Sequence, residues 1–344
     1  MRQYEGLSAD GSCQNAVNEA VVRQLLRGLE PGGANTGSYR DARKHLPREL
    51  VQELARSIAT LLGTSSPAPW MRRGRHVKLV DGTTILMPDT AENQACYPQH
   101  GNQQSGAGVP IARLVVVISL AHGAVLEVAM GPYKGKGTGE HALFRELLKC
   151  FAAGDIMAAD SYYCSYFLVA APMAMGVDFV FEQHGARDTD FRMGEKLGRR
   201  DHVVKRARPA RPQWMGLEEY DSFPPELTVR ETKVGKKVLV TSFLNLREVC
   251  KREVGSLFVR RSNVELDLRN VKATLGMATL SCKTPEMCEK GMWVYVLASN
   301  VIRLAGATPP VRSSQPAPQH SLPLSPYLSR SFFVRNSQRA HYGK

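Results

Sequence analysis

In the first part of the chain, apolar residues recur every three or four positions. Val17, Ala20, Val21, Leu25 and Leu26 form one such series, closed by Pro31-Gly32-Gly33. That spacing predicts a helix over residues 15–29, because side chains three and four apart share one helical face. Ser38 is placed to cap a shorter helix through Lys44, and Pro47 to open an amphipathic one through Leu62. From residue 75 the period changes. HVKLVDGTTILM, ARLVVVISL and AVLEVAM alternate or run continuously apolar, and a tight turn over residues 121–124 joins the last two. They read as three strands, two of them a hairpin. A linker rich in Gly and Lys (131–139) then leads to a helix over 140–151 and a short buried strand, GDIMAAD, ending at Asp160. A helix over 162–174 and a strand, VDFVFEQ, complete the series. This order predicts an α/β fold with a mixed sheet and flanking helices.

Residues 186–254 interrupt that plan. Eight Lys and Arg fall between Arg192 and Arg211, Arg199 and Arg200 among them, and the strand-like stretches LTVRET and KVLVTSFL follow. This is expected to be a basic β-rich insertion. Helical periodicity resumes near Ser256, where Leu257, Val264, Leu268, Val271 and Leu275 form one stripe, and a last apolar helix is expected over 291–304. Beyond Leu304 come six prolines, many serines and no acid, which predicts a disordered or frame-shifted tail over 304–344. The resulting division is a helical region at 1–74, a core at 75–185, the insertion at 186–254, core helices at 255–303, and the tail.

Composition adds a partner to this outline. Hydrophobic residues at 43% and charged residues at 22% of 344 are globular proportions. The formal net charge of +13 points to a polyanion, first of all nucleic acid, with a membrane surface or a merely basic soluble protein as the other readings. Arg40, Arg43, Lys44 and Arg48 gather around a helix-turn-helix-like corner, either a DNA-contacting face or a solvated one. No apolar run is long enough to span a bilayer, so no membrane partner and a cytoplasmic, nucleoid-associated location are expected. Seven cysteines without paired C-x-x-C spacing, and nine histidines without H-E-x-x-H, signal neither a disulfide framework nor a zinc site.

Three acids sit where a charge is costly. Asp81 interrupts an apolar strand, Asp160 ends another, and Glu265 flanks the apolar stripe of the late helix. Converging carboxylates repel one another unless a hard cation such as Mg²⁺ neutralises them. Two such ions about 3.5–4 Å apart activate the attacking oxygen and stabilise the leaving oxygen in phosphodiester chemistry. Taken singly, each Asp also reads as a turn former or a cap, and Asp89, Asp155 and Glu140 are alternative acids nearby. Arg261, Glu265, Arg269 and Lys272 line one helical stripe, which suits either phosphate clamping or i,i+4 ion pairing.

VDGTT with Asp81, AADSYYCSYF with Asp160, and F-x-x-R-x-x-x-E-x-x-x-x-x-x-K from Phe258 to Lys272 together resemble the DDE transposases of the IS4-type insertion-sequence family. AMGPYKGKGTGEH and LGMATLSCKTPEM are also similar to segments of that group, and the likeness spans roughly residues 1–303. The resemblance implies a ribonuclease-H-like core in which Asp81, Asp160 and Glu265 are the catalytic, metal-binding acids. It implies two Mg²⁺ ions, replaceable by Mn²⁺, and no small-molecule cofactor. It further implies cleavage of double-stranded DNA at element ends, strand transfer into target DNA, and a homodimer on the DNA. Arg261, Lys272, Phe258, Arg269, Arg199 and Arg200 would contact that DNA.

Three features depart from the family pattern. Phe258 stands where a tyrosine is usual, Ser161 stands where an arginine commonly follows the second aspartate, and the tail does not continue as helix. They leave two alternatives beside the transposase: an impaired remnant that only binds DNA, and a nuclease of the same fold without strand transfer.

Overall fold

The computed structural model describes residues 13–33, 35–67, 71–101, 106, 108–135, 137–261, 271–272 and 275–307. Three helices come first: α1 (Cys13–Leu26), α2 (Thr36–His45) and α3 (Arg48–Thr64). Asn35 rather than Ser38 caps α2, its Oδ1 accepting from the Gly37 N–H at 2.7 Å. Pro47 lies one position before the first turn of α3. On α1 only Val17 of the apolar series is buried, and Leu25 and Leu26 are 56% and 82% exposed. On α3 the pattern does find a partner: Val51 and Ala55 join the core beside Trp293 and Val296 of the last helix, α9 (Pro285–Ala307).

Among the described residues the sheet contains nine strands, numbered along the chain, in the order β3-β2-β1-β4-β5-β9-β8-β7-β6. Its first half is β1 (Val77–Leu86), β2 (Ile111–Ser119), β3 (Val125–Pro132), β4 (Ile156–Ala159) and β5 (Asp178–Glu182), with a short helix, α4 (Ala91–Cys96), between β1 and β2. β2 runs antiparallel to β1 and β3, while β1, β4 and β5 are mutually parallel. This is the mixed sheet with flanking helices expected from the strand order. The β2–β3 turn uses Gly123 at φ 68°, a conformation glycine adopts freely.

Alternation along the strands separates two cores. Val77, Leu79 and Ile85 of β1 pack under α3, α9 and the helix α8 (Lys251–Arg260). Val80, Met157 and Ala159 face the other side, under α5 (Glu140–Leu147, extended by a 3-10 turn) and α6 (Tyr166–Ala174). The buried Asn300 ties three elements of the first side together. Its Nδ2 donates to Ala55 O at 3.0 Å and Val125 O at 2.9 Å, and its Oδ1 accepts from the Val125 N–H at 2.9 Å.

The sheet continues across residue 186. β6 (Glu195–Gly198), β7 (Asp201–Ala207), β8 (Glu226–Val234) and β9 (Lys237–Thr241) extend it, with α7 (Leu217–Ser222) between β7 and β8. β9 pairs antiparallel with β5, Glu182 opposite Leu239. Within the basic stretch, Arg206 is buried against Glu231, and Arg208 and Arg211 donate to backbone carbonyls, so those cations hold the fold. The helix expected from Ser256 begins earlier, at Lys251, where Glu253 accepts from the Cys250 N–H in a capping box. The last helix likewise extends beyond the expected range at both ends. Among the described residues, no helix is long and apolar enough to cross a membrane.

Candidate active site

Asp81 and Asp160 belong to neighbouring parallel strands. Val77, Lys78 and Leu79 stand opposite Ile156, Met157 and Ala158; Asp81 follows Leu79 by two residues on β1, and Asp160 follows Ala158 by two, directly after the last residue of β4. Parallel neighbours lie about 4.8 Å apart. Alternation places both aspartates, and Thr83 with them, on the side of the sheet that carries α8 and α9. Each acid accepts from the main chain: Asp81 Oδ1 from the Gly82 N–H at 3.0 Å, and Asp160 Oδ1 from the Tyr162 N–H at 2.9 Å. The site lies at the carboxyl end of β4, where the chain leaves the sheet in a 3-10 turn (Ser161–Tyr163) capped by Asp160. Ser161 lies in that turn.

The late segment comes to the same face. Leu86 N–H donates to Ala278 O at 3.0 Å, and Leu280 N–H to Leu86 O at 2.8 Å, fastening residues 278–280 beside the end of β1. That attachment brings Lys272 to Thr83, whose Oγ1 accepts from Lys272 Nζ at 2.9 Å. Burial lowers the Lys272 pKa. Phe258 is buried, 8% exposed, in the core under α8, with the Lys237 ammonium 5.2 Å and the Arg261 guanidinium 5.6 Å from its ring centroid. The ring thus supports two cations through its π face, and contact with a large ligand falls to them. Glu265 and Arg269 lie outside the described residues.

Arg199 and Arg200 form the exposed β6–β7 turn, Arg200 at φ 53°, and their carbonyls accept from Lys251 Nζ at 2.9 and 3.3 Å. At the N-terminal corner, Arg43 faces Cys13 Sγ at 3.4 Å and Arg48 pairs with Glu289, so two of the four cations there face inward while Arg40 and Lys44 face solvent.

The alternative acids separate clearly. Asp155 is bound at 2.6 Å by Lys78 at the opposite end of β4, and Asp89 is exposed and accepts from Gln94. Glu140 lies against the back of β1: a methyl group at Gly82 would fall 2.4 Å from its Oε2. Its partner is Tyr163, whose hydroxyl donates to it at 3.3 Å. Glycine inside an apolar strand was the available signal for this close approach.

Two neighbouring carboxylates on one face, each fixed by an amide, are a donor set suited to a hard divalent cation. Among the described residues no group of three His, Cys, Asp or Glu side chains converges as a metal site. A third ligand would have to come from elsewhere, and Phe258 and Lys272, which bracket Glu265 in sequence, both lie on the acid pair's side of the sheet.

The site-bearing framework is thus a mixed α/β sheet with flanking helices and two aspartates toward the carboxyl ends of neighbouring parallel strands. The sequence profile of the Transposase DDE domain matches residues 72–301, and the chain belongs to that family. Transposase InsG for insertion sequence element IS4 of Escherichia coli (strain K12) is 29% identical over 274 residues, 76% of this chain and 59% of that protein. The chain therefore spans less than two thirds of that relative's length. Among solved structures, the piggyBac transposase synaptic complex with hairpin DNA overlays at a TM-score of 0.41 and 10% identity, covering 78% of this chain and 55% of the other.

Proposed function

We propose that this chain is the catalytic part of an insertion-sequence transposase, cutting DNA at the ends of its element and joining the freed strand to target DNA. The observation that supports the reading is the parallel pairing of β1, which bears Asp81, with β4, which Asp160 follows, together with the bond from Lys272 to Thr83 of β1. Asp81, Asp160 and Glu265 would hold Mg²⁺ or Mn²⁺. When bound, such ions activate the attacking oxygen and stabilise the leaving one. The chain's own part is to hold two carboxylates toward the ends of neighbouring strands and a half-buried ammonium at Thr83 of β1. Lys272 and Arg261 supply cations for the phosphates around the cleaved bond, and Arg199, Arg200, Arg269 and the outward face of the N-terminal helices contact flanking DNA. Phe258 acts through the cations stacked on it. The net charge of +13 supports a DNA partner, and two element ends call for two copies of the chain.

The test is incubation with DNA carrying the element's termini and Mg²⁺ or Mn²⁺, comparing wild type with Asp81→Asn and Glu265→Gln. Nicking by wild type alone supports the reading, and binding by all three with no nicking supports a DNA-binding remnant. Ser161, which removes a cation from the turn after Asp160, favours that second reading. A strand-transfer assay with pre-cut ends separates a transposase from a nuclease of the same fold.

A further inference from the structure

The first turn of α5 grips the turn that follows Asp160. Glu140 and His141 are adjacent there, and each holds a different residue of the 3-10 segment. Glu140 Oε2 accepts from the Tyr163 hydroxyl at 3.3 Å, and His141 Nε2 donates to Tyr162 O at 2.7 Å. The same Tyr162 donates its N–H to Asp160 Oδ1 at 2.9 Å. A chain of hydrogen bonds therefore runs from the helix through the turn to the carboxylate. Tyr163 is fully buried, wedged edge-on against Phe144 of α5 at 5.4 Å, so its hydroxyl has little freedom to seek another acceptor. The His141 ring lies 4.4 Å from the exposed ring of Tyr162, which fixes that residue from both its carbonyl and its side chain. Gly82 completes the arrangement, since any side chain there would occupy the space of the Glu140 carboxylate. Arg113 stands on the far side of that carboxylate, 3.9 Å from Oε1.

We infer that Glu140 and His141 are positioning residues for the acid pair: clasping Ser161–Tyr163, they set the direction in which Asp160 presents its carboxylate beside Asp81. Neither reaches the substrate. Glu140 lies behind β1, on the side of the sheet opposite Asp81 and Asp160, and acts through the turn. Outer residues that orient a metal ligand influence affinity by about 10–100-fold, and the clasp belongs near the lower end because it acts through a backbone segment. The inference rests on the proposed role of Asp81 and Asp160 as cation ligands.

The experiment is a Mn²⁺ titration of the full chain followed by electron paramagnetic resonance, with thermal unfolding recorded for each variant. Asp81→Asn is the control that defines the site. Tyr163→Phe and Glu140→Ala are expected to weaken Mn²⁺ about tenfold each, and the double variant no more than either single, because both remove one link. Glu140→Gln keeps an oxygen for Tyr163 to donate to and is expected to stay within about twofold of wild type. Single variants that bind Mn²⁺ as wild type does, or a double variant whose loss is the product of the two, overturn the clasp while leaving the acid pair standing. A wild type with no Mn²⁺ site sensitive to Asp81→Asn overturns both. Should Glu140→Ala fail to fold, Tyr163→Phe, which keeps the buried ring, decides the question alone.

Discussion

The outer strands and the carboxyl ends of β1 and β4 hold their acids differently. In the outer strands, acids are matched by guanidinium groups. Arg230 is wholly buried and binds Asp201 through two contacts of 2.8 and 2.6 Å, with Val249 O at 2.7 Å, and Arg206 holds Glu231 at 2.7 Å. In the inner half, Asp155 and Glu127 pair with Lys78 and Arg56, whereas Asp81 and Asp160 are half-buried and accept from main-chain N–H groups. An amide fixes a carboxylate's direction, and a guanidinium also offsets its charge. The outer half uses its buried acids to join strands.

The largest expected effect breaks the inner arrangement. Asp81→Asn or Asp160→Asn keeps the side-chain shape and removes charge, and cleavage of element-end DNA should fall by about 10³-fold or more, the loss of several kcal/mol of charge stabilisation. Retained DNA binding in a gel-shift assay would show that the loss is chemical. Cleavage within tenfold of wild type would sink the distinction.

The outer arrangement predicts a loss of stability. Arg230→Met leaves Asp201 buried without its partner and should lower unfolding free energy by about 3–5 kcal/mol in urea titration. Replacing both, as Arg230→Met with Asp201→Leu, should recover most of that, because the penalty comes from the stranded charge. If the double variant is as unstable as the single, Arg230's contact with Val249 O matters more than the ion pair.

His122 sharpens the contrast from a third side, since it is a buried base kept neutral. Its Nδ1 accepts from the Ala124 N–H at 3.3 Å, and burial, followed by His76 and Arg303, lowers its pKa to about 4. Below the unfolded value the denatured chain gains a proton that the folded one refuses. The stabilisation is therefore complete above about pH 6.5 and lost as pH falls toward 4, amounting to about 3 kcal/mol. His122→Gln should flatten the stability profile in that window, and an unchanged slope would assign it to other groups.

The smallest effect tests Lys272. Lys272→Met should reduce cleavage about tenfold through loss of one phosphate contact. Because burial lowers its pKa, wild-type activity should decline at lower pH on the basic side than that of Lys272→Arg. Coincident basic limbs would remove Lys272 from the charge near the reacting phosphate.

Much of this contrast was legible in the sequence, and unevenly so. β1 to β5 could be read because their apolar residues alternate or run unbroken, and Asp81 and Asp160 stood out as interruptions. β6 and β7 were hidden because EKLG and DHVVKRA carry charges on an edge and bury Asp201 and Arg206 as ion pairs, a pattern that reads as polar loop. The apolar series of α1 misled, since helical spacing predicts a face and not its burial. Glu140 could be listed as an acid near the site, yet its relation to Gly82 and Tyr163 depends on contacts between distant segments. Thr83 as the acceptor for Lys272 was equally out of reach, the two being 189 positions apart.

The pairing of β5 with β9 has one further consequence. The chain departs from the inner sheet after Glu182 and comes back opposite the same strand at Leu239. Everything between those points is a closed excursion that begins and ends at a single edge. Lengthening or trimming its outermost hairpin need not move β1 and β4, so that exposed basic turn can be remodelled independently of the strands that carry Asp81 and lead to Asp160.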